Sequence, residues 1–238
     1  MKAISIIFQN QEILLVNKPC GVSVQGGKGI SHPLDEELSK QLGYRIHLVH
    51  RLDKETEGIL IVAKNPQAAS KWTKLISTKE VQKEYKALCV GLPKLKGKTV
   101  KEGLVESEIE AHGRNQSART FFSVEKTASV TVKKSLKVEG EDNPAREEEE
   151  VTIPVSLIDL KLGTGRMHQI RIQMAQLDCP LCGDDQHGNF KINKLLRKAG
   201  IKKLCLASTR LTIPLDGKKQ TFEIPLPEHM EAFVKQYM

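Results

Sequence analysis

No apolar run among these 238 residues approaches the roughly 18 that a membrane-spanning helix requires. The opening Met1-Lys2-Ala3-Ile4-Ser5-Ile6-Ile7-Phe8 is too short and too quickly polar for a secretory signal, so a cytoplasmic protein with no membrane partner is expected. Gly26-Gly27-Lys28-Gly29 lacks the spacing of a phosphate-binding Walker loop. There is no internal repeat. Zinc ligands are also scarce: Cys179-Pro180-Leu181-Cys182 has the right spacing, but only His187 and Cys205 are on offer to complete a set. The five cysteines (Cys20, Cys89, Cys179, Cys182, Cys205) are odd in number, so reduced, buried structural thiols and no metal are expected.

What the chain does have is positive charge. The net +8 understates it, because Glu139 to Glu150 hold seven acids against Arg146 alone, a local −6 that leaves about +14 on the remainder. A body that basic suits a polyanion, nucleic acid above all, although a lysine-rich soluble protein would look alike on charge alone. A chain of this length can bury roughly 70–75% of its unfolded surface and needs no staples.

Local patterns place the elements. Glu12 to Asn17 reads as a strand stopped by Lys18-Pro19 and Gly21, and Leu34 to Leu42 as a short helix ending at Gly43. Asn65-Pro66 is a cap and first-turn pair, and behind it Ala69, Trp72, Leu75 and Ile76 share a helical face, which makes Trp72 a core residue. Strands are expected over Lys83–Gly91, Leu104–Glu110, Arg119–Val124, Val130–Val138, Val151–Leu162, Cys205–Ile213 and Thr221–Ile224, and helices over Met167–Leu177 and Ile192–Ala199. Runs of strands with irregularly placed helices argue for an α+β fold, a largely antiparallel mixed sheet with flanking helices. One domain over residues 1–238 is expected, with 126–150 as an exposed, mobile acidic connection between two strands, since its acidic end offers nothing to pack. Lys191, Lys194, Lys198 and Lys202 recur at helical spacing, as either a phosphate-gripping stripe or a solvated face.

His50-Arg51-Leu52-Asp53 is followed by Thr56, Gly58 and the apolar run Ile59-Leu60-Ile61-Val62-Ala63, which sets one acid beside a cation at a turn feeding a buried strand. Taken singly, such an aspartate more often just bonds neighbouring amides. Far downstream Thr164-Gly165-Arg166-Met167-His168-Gln169-Ile170-Arg171 supplies complementary charge. The segment from His50 to Gly58 resembles the signature of the RluA family of RNA pseudouridine synthases. Leu14 to Gly21 is similar to that family's opening strand and turn, Val81, Lys83 and Tyr85 to its next motif, Gly163 to Arg171 and Pro180 to Asp184 to later ones, and Pro225-Leu226-Pro227 to its closing segment. The likeness runs in order from about residue 12 to 227.

The resemblance implies the pseudouridine synthase catalytic fold with a central cleft, an isomerase acting on uridine in ribosomal or transfer RNA, and no cofactor; a monomer is the default expectation. Asp53 would be the essential carboxylate, as nucleophile at the sugar or base at its 2′ position. Either role needs an ionised acid in an enclosed pocket that holds a flipped base, and enclosure favours the neutral form unless a cation opposes it. Arg171 is the family's candidate for that ion pair. Tyr85 would face the base, Arg51 would fill the gap left by the extruded nucleotide, and Ile170 would wall the pocket. His50, Arg166 and His168 would organise the substrate's surroundings. The chain departs from the family's usual residues at Glu57 (serine), Gln173 (histidine), His187 (tyrosine) and Ala207 (histidine). No small S4-type RNA-binding domain, which many relatives carry, is expected upstream. A catalytically silent RNA-binding or RNA-folding protein is the alternative; a phosphotransferase fails for want of a nucleotide loop and metal partners.

Overall fold

The computed structural model describes residues 3–111, 113–136 and 147–238. In chain order it runs β1 (Ser5–Gln9), β2 (Ile13–Lys18), α1 (Leu34–Leu42), β3 (His47–Leu48), β4 (Glu57–Ala63), α2 (Pro66–Ser77), β5 (Gln82–Val90), β6 (Lys94–Leu95), β7 (Lys98–Thr99) and β8 (Glu102–Ala111). It continues through β9 (Arg114–Leu136), β10 (Glu147–Leu162), α3 (Gln169–Gln176), α4 (Phe190–Leu196), a 3-10 turn (Arg197–Ala199), β11 (Leu206–Leu215), β12 (Lys218–Glu223) and α5 (Glu228–Tyr237). Among the described residues one ten-stranded sheet has the order β1-β2-β4-β11-β5-β10-β9-β8, with β12 on β11 and β3 on β4; β6 and β7 pair separately. The fold is the expected α+β mixed sheet, antiparallel except where β11 runs beside β4.

Burial on both faces explains the unbroken apolar run of β4. Leu60 and Val62, with Leu14 and Val16 of β2, enter one core cluster, while Ile59 and Ile61, with Ile13 and Leu15, enter another on the opposite face. Strand alternation sends successive side chains to opposite sides, so a strand wanted by both cores has no polar position. The second cluster takes in Trp72, which is 1% exposed, and α2 is capped by Asn65, whose Oδ1 accepts the Ala68 N–H at 2.8 Å. Where β4 meets β11, Gly58 pairs with Ser208 at φ +119°, and a Cβ there would collide with the Ser208 backbone.

Three expectations need correction. The two strands expected over Arg119–Val124 and Val130–Val138 are one strand, β9; the polar stretch between them is a register shift opposite Leu157 and Ile158, not a break. The acidic connection expected over 126–150 is shorter, because 126–136 and 147–150 belong to β9 and β10. Lysines provide the pairing that the acidic run lacks: Glu150 lies opposite Lys133 and Glu149 opposite Lys134, and Lys133 Nζ lies 2.8 Å from Glu148. Residues 137–146 lie outside the described residues. Finally, β1 and the C-terminal α5, which buries Met230 and Phe233, were not foreseen.

Candidate active site

The Asp53 turn is held by backbone contacts and one buried cation. The Thr56 N–H donates to the Asp53 carbonyl at 3.1 Å, and the Lys54 carbonyl accepts from the Gly21 N–H at 2.9 Å. Lys18, fully buried at the end of β2, donates from Nζ to the carbonyls of Pro19 (2.9 Å), Val22 (2.8 Å) and Lys54 (2.9 Å). Burial brings its ammonium down to about 8, against the pull of nearby acids including Asp53. The turn therefore rests on a charge that no solvent satisfies. Leu52, one residue earlier, sinks into the same core cluster as Tyr85 and Ile170.

Helix α3 delivers the complementary charge. Ile170 and Met174 enter that cluster, while a network of buried amides ties the helix to the β8–β9 hairpin. Gln173 donates from Nε2 to Ser107 Oγ and the Ala118 carbonyl, both at 3.0 Å, and accepts from Thr120 Oγ1 at 2.6 Å. Gln169 donates to Thr120 Oγ1 at 2.8 Å and to the Arg119 carbonyl at 2.9 Å. Every amide has a partner, so the polar layer fixes the helix without leaving an orphan.

Arg171, between those two glutamines, is 7% exposed. Its Nε and Nη2 grip Asp184 at 2.7 and 2.8 Å, and Nη1 lies 3.8 Å from Asp53 Oδ2. The expected Asp53–Arg171 pairing is thus real in proximity but secondary in strength. A guanidinium fork matches two oxygens of one carboxylate, and Asp184 is the one presented squarely to it. Burial would raise the Asp184 carboxyl, but Arg171 and the amides of His187 and Gln186 outweigh it and hold Asp184 below the usual range.

The other expected residues divide. His168, at φ 52° just before α3, places Nε2 4.0 Å from Asp53 Oδ2. Tyr85 on β5 is 6% exposed, and burial, reinforced by the Asp53 charge, pushes its phenol well above the usual range, so it is neutral at physiological pH. His50 turns away toward β4: its Nε2 accepts the Ile61 N–H at 3.1 Å, and burial keeps the ring neutral. Arg51 is exposed beside Asp53. Arg166 is exposed and donates from Nε to the Ser117 carbonyl at 3.2 Å, on β9. Lys191, Lys194, Lys198 and Lys202 are all exposed, and Lys198 donates to the Lys133 carbonyl.

Sequence reasoning assigned no role to Asp184 or Lys18, and His187 entered only as a possible zinc partner and as a departure from the family's usual tyrosine. Asp184 and Lys18 stood inside quoted motifs, and an acid or a lysine at a motif's turn was the available signal. A surface hollow of about 670 Å³ beside α1 and β3 is lined by none of the site residues. Among the described residues no three metal-ligating side chains gather, and no helix is long and apolar enough to cross a membrane.

A partly exposed carboxylate faced by an arginine of α3 and the histidine that precedes that helix, with a neutral buried tyrosine on β5, defines a carboxylate-centred site on a mixed sheet. The chain belongs to the RNA pseudouridylate synthase family, whose model matches residues 12–176. It is 36% identical over 192 residues to the ribosomal large subunit pseudouridine synthase C of Rickettsia felis, covering 79% of this chain and 57% of that one. It is 28% identical over 242 residues to the protein of the same name from Haemophilus influenzae, covering 97% and 68%. The chain thus spans 57% of the length of the Rickettsia relative. Human RNA pseudouridylate synthase domain containing 4 shares the fold, with a TM-score of 0.70 at 23% identity over 98% of this chain and 92% of that one. Asp184 and His187 fall beyond the residues matched by the family model.

Proposed function

We propose that this protein isomerises uridine to pseudouridine in RNA, with ribosomal RNA as the substrate class. The observation that carries this reading is the Asp53 carboxylate, 28% exposed at its side chain and flanked by Arg171 and His168. A group that must react with a flipped nucleotide has to be reachable from solvent, and Asp53 is both reachable and faced by a guanidinium and an imidazole. The relatives are ribosomal large subunit pseudouridine synthases by name, which favours ribosomal over transfer RNA.

In the reaction the bond from N1 of the base to C1′ breaks, the base turns, C5 bonds to C1′, and the C5 proton leaves while N1 gains one. Atoms balance without a cofactor. Asp53 acts at the sugar, by attack or by removing the 2′ proton. Tyr85, neutral and buried beneath the site, stacks on the base. Arg51, exposed beside Asp53, is placed to occupy the space the nucleotide vacates, recovering part of the few kcal/mol that extrusion costs. The test is Asp53→Asn assayed by tritium release from C5-labelled total RNA. Loss of release with RNA binding retained supports the reading, and release at the wild-type rate overturns it.

A further inference from the structure

Two histidines from separate segments meet beside Asp53. His168 Nδ1 lies 2.9 Å from His187 Nε2, with the rings edge to face at 76°. The other nitrogen of His168, Nε2, points to Asp53 Oδ2 at 4.0 Å. A 2.9 Å contact between ring nitrogens requires one proton between them. If neutral His168 carried that proton on Nδ1, its Nε2 would turn a lone pair toward the carboxylate. If His187 supplies the proton from Nε2, His168 carries its own on Nε2, aimed at Asp53. A doubly protonated His168 gives the same outcome, with His187 Nε2 then accepting.

We propose that His187 is a positioning residue that locks His168 in the state with an Nε2–H directed at Asp53. This deepens the proposed function and rests on the reading of Asp53 as the reacting carboxylate. The 4.0 Å separation is a charge–dipole contact, of the kind that tightens when substrate closes a site. The backbone at His187 is anchored by Asp184, whose Oδ1 accepts the His187 main-chain N–H at 3.0 Å while the same carboxylate grips Arg171. One buried acid therefore holds both Arg171 and the segment that carries His187. Burial, with Arg171 alongside, lowers the pKa of His187 and keeps its ring neutral and able to donate. Charged and titratable groups facing this cluster are Arg171 from α3, Asp184 from its loop, Tyr85 from β5, Lys18 from β2, and Glu55 from the Asp53 turn.

The partner of His168 Nδ1 must both donate and accept, which a tyrosine hydroxyl also does and a phenylalanine cannot. His187→Phe should lower kcat about ten-fold or more, the loss of a hydrogen bond supporting a charge. It should also move the acid limb of the kcat/KM profile to higher pH. His187→Tyr should restore both. A fall in amplitude with an unmoved limb in His187→Phe, or no rescue by His187→Tyr, overturns the proposal. An activity-independent reading comes from imidazole nitrogen NMR of the free protein. His168 should carry its proton on Nε2 in the wild type and redistribute it in His187→Phe; a neutral His168 protonated on Nδ1 in the wild type also overturns it. A wild type inactive on every RNA would sink the proposed function while leaving the NMR result standing.

Discussion

Arg171 turns its two-pronged face to Asp184, at 2.7 and 2.8 Å, and meets Asp53 only through Nη1 at 3.8 Å. The cation is thus already oriented before any substrate arrives, and Asp53 remains open for chemistry. Removing one partner from a pair this buried leaves the other uncompensated, so Asp184→Asn should cost on the order of 3–5 kcal/mol in urea unfolding and depress turnover through a misplaced Arg171. Arg171→Lys keeps the charge but not the fork. It should unfold less easily than Asp184→Asn yet still lose turnover.

Tyr85 is buried and neutral, so its hydroxyl keeps its proton, and in the proposed reaction its ring supplies the stacking surface. Tyr85→Phe keeps the stacking ring and removes only the hydroxyl at the base edge, so it should retain RNA affinity and lose about 100-fold or more in kcat. Filter binding beside a turnover assay separates the two effects. Equal losses in both would make Tyr85 a packing residue only.

The collinear motifs singled out Asp53, Tyr85 and Arg171 as candidates, and alternation made β2 and β5 legible, because those signals are written in neighbouring residues. Which carboxylate Arg171 would grip was not, since Asp53 and Asp184 are both acids at turns and only geometry chooses between them. The acidic run that opens β10 looked unable to pack because its lysine partners stand on another strand. The helix over Glu228–Tyr237 was hidden behind Pro225-Leu226-Pro227, although Met230 and Phe233 carry the spacing of a buried face.

Gln173 stands where relatives of the RluA type usually place histidine, and it makes three hydrogen bonds from full burial. Gln173→Leu would strand Thr120, Ser107 and the Ala118 carbonyl, a loss of roughly 2–3 kcal/mol. Because the layer fixes α3, amide exchange in Gln169–Gln176 should accelerate more than in β2 or β4. Uniform acceleration would show that the network stabilises the whole fold and not that helix.

Gly21 and Gly58 share a positive φ, +81° and +119°, but not their surroundings. Around Gly21 a Cβ meets nothing within 4 Å, whereas at Gly58 it strikes the Ser208 backbone. Gly21→Ala should therefore cost about 1–2 kcal/mol of backbone strain alone. Gly58→Ala adds overpacking at the β4–β11 junction, for a total of about 3 kcal/mol or more. Thermal unfolding of the two variants checks the order.

Lys18 gives the fold a distinctive alkaline response. Its folded-state pKa of about 8 lies below the roughly 10.4 of an unfolded lysine. Between those values the unfolded chain binds more protons than the native one, so this residue's contribution to stability rises with pH across that window; below about 8 both states are charged and the burial penalty is full. Lys18→Met removes the titration and strands the carbonyls of Pro19, Val22 and Lys54, so the variant is destabilised at every pH. The gap between wild type and variant should widen by about 2 kcal/mol between about pH 7 and about pH 9.5. Lys83, also brought down to about 8 by burial, titrates in both proteins and cancels from the comparison. A gap that stays constant in urea unfolding across that range would mean that the three carbonyls hold Lys18 charged, and that the cation under the Asp53 turn is permanent.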